Sequence, residues 1–284
     1  MSIVTLPAGE TEGALAPALD AAEKLLAGRR IAVLTGAGVS TDSGIPDYRG
    51  AGAPVRTPMT FATFLAEESA RKRYWAGSHL GWAHFSSVRP NPGHEALAEL
   101  EQRGVVTGVI TQNVDGLHFR AGSRRVVELH GVMRRVVCLR CGQQFARDDI
   151  AERMTRENPW LGDPSAIRTG PDGDVEIDSV EQMVIPDCTV CGGMLKPDVV
   201  FFGEFVPRPV FALARSLVAH ADALLIAGSS LVVNSGIRLL DQAAKRRIPV
   251  VIVNRGETRG DARASLKIDA GASEVLASLA ARLR

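Results

Sequence analysis

The four cysteines of this 284-residue chain fall into two Cys-x-x-Cys pairs, Cys138/Cys141 and Cys188/Cys191. Four thiolates complete a tetrahedral Zn2+ shell and leave no position open for water, so a metal held this way is structural. The inner cysteines stand 46 residues apart, well beyond the fifteen to twenty or so of a compact ribbon. Four buried thiols or a pair of disulfides are the other reading of these letters, and a reducing compartment favours the metal. A second chemical candidate is His130, followed by Gly131 at the end of an apolar run. An imidazole at a strand end, between two domains, can act as a base near neutral pH, and the adjacent glycine leaves room for a substrate, while a structural histidine is the plainer reading of a lone one. The remaining histidines, His79, His84, His94, His118 and His220, read as structural.

Residues 36–50 read GAGVSTDSGIPDYRG after a short apolar run. Gly36 and Gly38 let backbone N–H groups approach a pyrophosphate, with help from the following helix N-terminus. The third glycine of the dinucleotide fingerprint is displaced, and no strand ending in Asp or Glu follows about twenty residues on, which disfavours an ordinary dehydrogenase. A glycine turn with a solvated loop is the plainer reading. Residues 111–118, TQNVDGLH, place Gln112, Asn113 and Asp115 past another apolar run. Two amides and a carboxylate suit a ribose diol and a carboxamide, and the same letters also make an Asx turn with a helix cap. Gly228, Ser229 and Ser230, and likewise Asn254, follow apolar runs and suit a phosphate or ribose, or form ordinary strand-to-loop turns. The run Val199 to Phe202 ends in Gly203-Glu204 and predicts an exposed strand edge to which an extended peptide adds.

The elements that must hold these groups alternate. Apolar spacing predicts a helix from Leu15 to about Gly28, then strands over 31–35, 105–111, 126–129, 223–227 and 250–254. Helices are predicted over 92–103, capped by Asn91 with Pro92 in first position, and over 209–219, 235–247 and 273–283. This alternation implies an α/β fold with a doubly wound, parallel, Rossmann-like sheet and function at the carboxyl ends of its strands. Two stretches break the pattern. Residues 57–87 look helical and aromatic, and residues 133–195 carry both cysteine pairs in a segment too poor in apolar residues to hold itself together without a metal. The expected division is a cofactor domain of 1–56, 88–132 and 196–284, with a smaller helical and zinc-binding domain of 57–87 and 133–195.

Composition narrows the partners. Hydrophobic residues make up 45% of the chain and charged ones 23%, the balance of a folded protein. Thirty-three Lys and Arg against 32 Asp and Glu leave a net charge of +1, too even for the broad positive field of a nucleic-acid or membrane-surface binder. No apolar run approaches the roughly 20 residues of a membrane span, and the first residues lack a signal-peptide pattern, so a cytoplasmic location is expected.

Taken in order, GAGVSTDSGIPDYRG, TQNVDGLH, His130-Gly131, the cysteine pairs, LKPDVVFFGE (195–204), GSS (228–230) and VN (253–254) resemble the sirtuin family of NAD-dependent protein deacylases, over about residues 15–284. Arg73-Tyr74-Trp75, Gly81-Trp82 and the PDYRG loop are most similar to class II members and their bacterial relatives. The resemblance implies NAD as co-substrate, structural Zn2+ and an acyl-lysine protein or peptide in the cleft between the domains. By it, Gly36, Ala37 and Gly38 line the diphosphate, Thr41 joins the cofactor contacts, and Asp47, Tyr48 and Arg49 lie in a loop closing on NAD. Gln112 and Asn113 hold the nicotinamide ribose, Asp115 the carboxamide, and Gly228, Ser229, Ser230, Asn254 and Ala272 the adenosine half. Val199, Phe202, Gly203, Glu204 and Val232 meet the substrate.

The implied reaction is attack of the acyl-lysine oxygen on the ribose C1′ as nicotinamide leaves. Neutral His130 then takes a proton from the ribose diol, and the products are lysine, nicotinamide and O-acyl-ADP-ribose. Asn113 joins His130 as a catalytic residue. Positioning must supply on the order of 7 to 11 kcal/mol of such a reaction, and a base typically adds roughly 10² to 10⁴-fold. Sirtuins that prefer succinyl or malonyl lysine carry a Tyr and an Arg where the register places Ser78 and Gly81, which disfavours a strong desuccinylase. Two alternatives share the motifs: a protein ADP-ribosyltransferase using the same pocket, and a catalytically silent acyl-lysine reader, which has no need of a base. Replacement of His130 by Ala or Tyr is expected to cut turnover by at least about 10²-fold while zinc content, measured by metal analysis, stays at the wild-type value and NAD binding largely survives.

Overall fold

The computed structural model describes residues 15–47, 58–162 and 180–283. Tyr48 and Arg49 lie outside them. In chain order the elements are α1 (Leu15–Leu26), β1 (Ile31–Thr35), α2 (Phe61–Ala66), α3 (Glu68–Ser87), α4 (Pro92–Gln102), β2 (Val106–Thr111), α5 (Leu117–Arg120), β3 (Val126–Glu128), β4 (Gly131–Cys138), β5 (Gln144–Ala146) and α6 (Arg147–Glu157). They continue with β6 (Leu195–Val199), α7 (Arg208–Ala219), β7 (Ala223–Ala227), α8 (Asn234–Lys245), β8 (Val250–Val253), β9 (Leu266–Ile268) and α9 (Ala272–Arg282).

Six parallel strands form one sheet in the order β3-β2-β1-β7-β8-β9. Side chains alternate across each strand. Ile31, Val33, Leu225, Val251 and Val253 pack on one face with α1, α4 and α9. Ala32, Leu34, Leu224, Ile226 and Ile252 pack on the other with α7 and α8. Both faces being covered explains why these strands are apolar throughout, as parallel strands must be when they see no water. The chain runs outward in one direction from β1 and in the other from β7, so the topological switch lies between their carboxyl ends, the place where open α/β sheets receive ligands.

A second sheet, β5-β4-β6, is antiparallel and three-stranded. Its residues share a core with the aromatic helices: Phe64, Tyr74, Trp75, Trp82 and Phe85 pack in one cluster with Met133, Val136, Ile150, Met154, Cys138 and Cys188. Arg147, at the start of α6, ties the two together. Its fully buried guanidinium lies 5.2 Å from the Trp75 ring and 5.4 Å from that of Trp82. Burial presses its pKa down to about 10. The Trp82 indole donates to Asp148 at 2.7 Å beside it.

Several expectations shift. Within the stretch expected to be helical, α2 covers Phe61–Ala66 and α3 Glu68–Ser87. The strand placed at Val199 to Phe202 lies earlier, at Leu195–Val199, and Pro197 is tolerated because β6 is an edge strand. Beyond it the backbone is engaged: Val200 N–H donates to the His130 carbonyl at 2.8 Å and the Phe202 carbonyl accepts from Phe61 N–H at 2.9 Å. Val199 to Phe202 therefore does not present a free strand edge. β9, only three residues long, had no periodicity to announce it. Gly131 also differs in purpose. Its φ is +79°, and a Cβ there would fall on the Asp198 carbonyl oxygen, so the glycine admits the neighbouring strand and the space beside it is filled. Gly131→Ala is expected to destabilise the protein by at least about 2 kcal/mol, since the left-handed penalty adds to a clash with backbone; the shift in chemical-denaturation midpoint measures it.

Candidate active site

The loops after β1 and β7 meet backbone to backbone. Gly36 N–H donates to the Ala227 carbonyl at 3.1 Å and Gly38 N–H to the Gly228 carbonyl at 2.9 Å. A Cβ on Gly36 would stand 2.7 Å from the Gly228 oxygen, and one on Gly38 2.8 Å from the Gly228 Cα. Gly228 itself has φ +61° and would strike Val39 with any side chain. The glycines are therefore demanded by loop packing, and the amides of Gly36 and Gly38, expected to face a pyrophosphate, are already bonded. Ala37 opens a short helical turn (Ala37–Val39), and Thr41, in the next, donates to the Gly38 carbonyl at 3.1 Å.

This contact brings the polar residues after β2 against the same loops. Asn113 Nδ2 donates to the Gly36 carbonyl at 3.1 Å and to Ser40 Oγ at 3.0 Å. Ser40 Oγ–H in turn donates to Asp115 Oδ2 at 2.8 Å. Asp115 Oδ1 accepts the Leu117 N–H at 2.8 Å, so the Asx turn into α5 is present and both carboxylate oxygens are hydrogen-bonded. Burial raises the Asp115 pKa, opposed by these two hydrogen bonds. Behind Ser40 lie two buried histidines with ring centroids 4.8 Å apart. His94 Nδ1 accepts the Asn91 N–H at 3.4 Å, which leaves Nε2–H facing Ser40 Oγ at 3.5 Å. His118 Nε2 pairs with Thr35 Oγ1 at 2.9 Å. Burial pulls His94 down to about 4, and burial followed by the His94 charge pulls His118 well below its usual value, so both are neutral. Asn91 caps α4 as expected, through Gly93 N–H at 3.0 Å. It also donates to the Val39 carbonyl at 2.7 Å, anchoring the first loop. Ser40, His94 and Asn91 were thus missed as parts of the site, because their partners come from loops remote in sequence.

His130 occupies the two-residue link, Leu129-His130, between β3 of the large sheet and β4 of the small one. Its Nδ1 lies 3.1 Å from the Gln112 carbonyl and its Nε2 2.9 Å from Ser235 Oγ. A carbonyl only accepts, so Nδ1 carries the proton and Nε2 the basic lone pair. Burial lowers the His130 pKa, with the Gln112 carbonyl opposing, so the imidazole is neutral at pH 7. Gln112 Oε1 accepts from Ser229 Oγ at 2.6 Å.

The other expected residues lie where the strands end. Asn254 follows β8, with its N–H bonded to the Ile268 carbonyl at 3.1 Å and its carbonyl to Lys267 at 2.6 Å. Ser230 accepts the Arg259 N–H at 3.0 Å. Ala272 opens α9 and is buried. Asp47 is half-buried at the last described position before residue 48. Toward the small sheet, Glu204 is consumed internally: its Oε2 accepts from Lys196 at 3.0 Å and from Phe201 N–H at 2.9 Å. Lys196 itself is buried over the Phe201 ring, 4.7 Å from its centroid. Phe202 and Val232 are half exposed and Gly203 has φ +81°. Ser78 is buried and its hydroxyl faces Arg147 at 3.4 Å. The small residue at 78 thus stands beside a guanidinium supplied by another element, which the sequence register could not show.

The four cysteine sulfurs lie within 4.8 Å of one another, with Cys138 and Cys191 3.5 Å and Cys141 and Cys188 3.8 Å apart. These are not disulfides. Sulfurs 2.3 Å from a tetrahedral zinc would stand roughly 3.8 Å apart, so the donor set fits the ion. Two matching turns build it: Gly142 N–H bonds the Cys138 carbonyl at 3.0 Å and Gly192 N–H the Cys188 carbonyl at 2.8 Å. A Cβ on Gly193 would stand 2.9 Å from Cys138 Sγ, so only glycine lets the turns close.

Residues 36–235 match the family model described as Sir2 family. The chain is 53% identical over 263 residues to NAD-dependent protein deacetylase 1 of Mycobacterium avium, covering 91% of this chain and 93% of that protein. It is 46% identical over 256 residues to the mitochondrial NAD-dependent protein lipoamidase sirtuin-4 of Bos taurus, covering 87% and 81%. Among solved structures it resembles a Sir2–p53 peptide–NAD+ complex, at 31% identity and a TM-score of 0.74, covering 92% and 96%.

Purified protein is expected to carry one equivalent of zinc by atomic absorption. Cys141→Ser should lose the ion and lower unfolding stability by more than about 3 kcal/mol, because binding energy of a structural site is folding energy.

Proposed function

Because the chain belongs to the Sir2 family, we infer that it is an NAD-dependent protein-lysine deacylase with zinc in a structural role and an acylated lysine as substrate. The observation that carries the residue assignment is the bracketed imidazole. His130 has its Nδ1 proton committed to the Gln112 carbonyl and its Nε2 lone pair facing the Ser235 hydroxyl, on the link that follows β3. That lone pair, which meets only a serine hydroxyl, is the base of suitable strength among these histidines, since burial presses the pKa values of His94 and His118 far down.

NAD, when bound, supplies a ribose carbon that gives up nicotinamide and accepts the acyl oxygen. The chain's own residues do the rest. His130 Nε2 would take the proton of a ribose hydroxyl held beside it. Asn113 and Gln112 orient the nicotinamide ribose. Asp115, kept in place by Ser40 and Leu117 N–H, receives the carboxamide. Gly36, Ala37, Gly38 and Thr41 border the diphosphate, with Asp47 following them in the chain; Tyr48 and Arg49, assigned to NAD by family resemblance, lie outside the described residues. Because two of the loop's amides are engaged with the β7 loop, the remaining turn is left to meet the phosphates. Gly228, Ser229, Ser230, Asn254 and Ala272 surround the adenosine. The acyl-lysine peptide lies by Val199, Phe202, Gly203 and Val232, on a wall that the Glu204–Lys196 pair stiffens.

The division into a cofactor domain of 1–56, 88–132 and 196–284 and a smaller one of 57–87 and 133–195 is supported in outline by the separate sheets and cores, but β6 pairs in the small sheet and Val199 and Phe201 pack in its core, which moves the last boundary beyond residue 201. A cytoplasmic location accords with the even charge and the paired free thiols, and among the described residues no helix is long and apolar enough to cross a membrane. The experiment is incubation with NAD and peptides bearing acetyl, longer neutral and acidic acyl-lysines, following nicotinamide release and peptide mass together. Loss of the acyl group in step with nicotinamide is expected. Gain of ADP-ribose mass identifies a transferase instead, and no turnover with any peptide identifies a reader. The rate should fall on acidification through the His130 pKa, below its usual value near 6.5, because only the neutral imidazole accepts the proton.

A further inference from the structure

We propose that Ser235 is a positioning residue for His130: its hydroxyl, carried into the crevice on the first turn of α8, holds the imidazole in register both before and after Nε2 takes up its proton. This deepens the deacylase reading and rests on it for the catalytic consequence.

The geometry leaves little freedom. With Nδ1–H committed to the Gln112 carbonyl, Nε2 can only accept, so Ser235 Oγ–H is the donor across the 2.9 Å contact. Once Nε2 is protonated the direction must reverse. A hydroxyl can do so by rotating about its Cβ–Oγ bond, donating to the neutral ring and accepting from the charged one. Nε2 has one lone pair, so the Ser235 hydroxyl turns its proton away as the ribose hydroxyl delivers its own and then accepts from Nε2–H; Ser235 keeps its proton throughout. No other residue type of this size holds the ring in both states, and a ring held at one nitrogen alone can swing about its χ angles.

The segment that delivers Ser235 is constrained at several points. Leu231 has φ +56°, a left-handed conformation unusual for a leucine, and is stabilised there by burial of its side chain and by its N–H donating to Ser229 Oγ at 3.3 Å. Ser229 Oγ–H in turn donates to Gln112 Oε1 at 2.6 Å. Gly236 lets the helix approach, since a Cβ there would stand 3.1 Å from Gln112 Nε2. One loop thus offers two hydroxyls, one to the Gln112 side chain and one to His130, and the Gln112 carbonyl closes the ring on the other imidazole nitrogen. Ser235 is 8% exposed, so water does not easily replace it.

The test compares the wild type with Ser235→Ala and Ser235→Thr. In ligand-free protein labelled with 15N-histidine, the wild-type His130 should give the Nδ1–H tautomer, and Ser235→Ala should move its Nε2 resonance toward that of an unbonded acceptor. In assays, Ser235→Ala should slow deacylation about tenfold at saturation, the worth of one hydrogen bond. KM values should stay within about twofold, and nicotinamide exchange, which precedes proton transfer to His130, should be spared. Ser235→Thr, which keeps the hydroxyl, should recover most of the rate. Unchanged Nε2 resonance in Ser235→Ala overturns the proposal, as does an equal fall in exchange and deacylation or failure of Ser235→Thr to recover. If the wild type itself deacylates no peptide, the functional reading fails, and the resonance comparison still decides whether Ser235 holds the ring.

Discussion

The site depends on a contact with no side chains in it. Where the loops after β1 and β7 touch, Gly38 and Gly228 stack backbone on backbone, and a methyl group on any of Gly36, Gly38 or Gly228 would separate them. That approach sets the distance between the two halves of the parallel sheet at their carboxyl ends. Asn113 and Ser40 then reach one loop, while Gln112 reaches Ser229 on the other. The polar residues are ordinary types in ordinary turns. Their convergence follows from how near two peptide chains can come.

Around that contact the protein maintains several buried polar groups, most of them bonded in a directed order, although His118 Nδ1 is buried without a partner. Asn91 N–H points to His94, His94 to Ser40, and Ser40 to Asp115. A buried carboxylate costs several kcal/mol unless it accepts hydrogen bonds. Asp115 accepts two, from Ser40 and from Leu117 N–H. The neutral histidines behind it supply polarity without adding a competing charge. The opposite arrangement holds at Arg147, where aromatic faces take the place of most hydrogen-bond partners and two of the guanidinium nitrogens have none.

Much of this was legible from the residues. Long apolar runs disclosed β1, β2, β7 and β8, since strands buried on both faces have no alternation to obscure them, and Asn91-Pro92 disclosed the start of α4. The cysteine spacing disclosed the metal turns. What stayed hidden depended on partners far along the chain. β9 is three residues long and exists because β8 is there to pair with it. β6 was displaced because Lys196, a strand residue here, is neutralised by Glu204 and by aromatic faces that only tertiary structure provides. Gly131 was credited with making room when it is needed to let Asp198 in. Ser235 lies 105 residues from His130 in sequence, and nothing in the letters joins them.

The short link between the two sheets has a mechanical meaning. β3 ends at Glu128 and β4 begins at Gly131, and the returning chain leaves β6 at Val199 and bonds through Val200 to the same His130. Both crossings between the sheets therefore pass through one point, and the imidazole sits on it. A body that pivots about a pin displaces its far rim most and the pin least. Swinging of the zinc-bearing unit, to admit a bulkier or slimmer cargo, would leave the proton acceptor almost where it was.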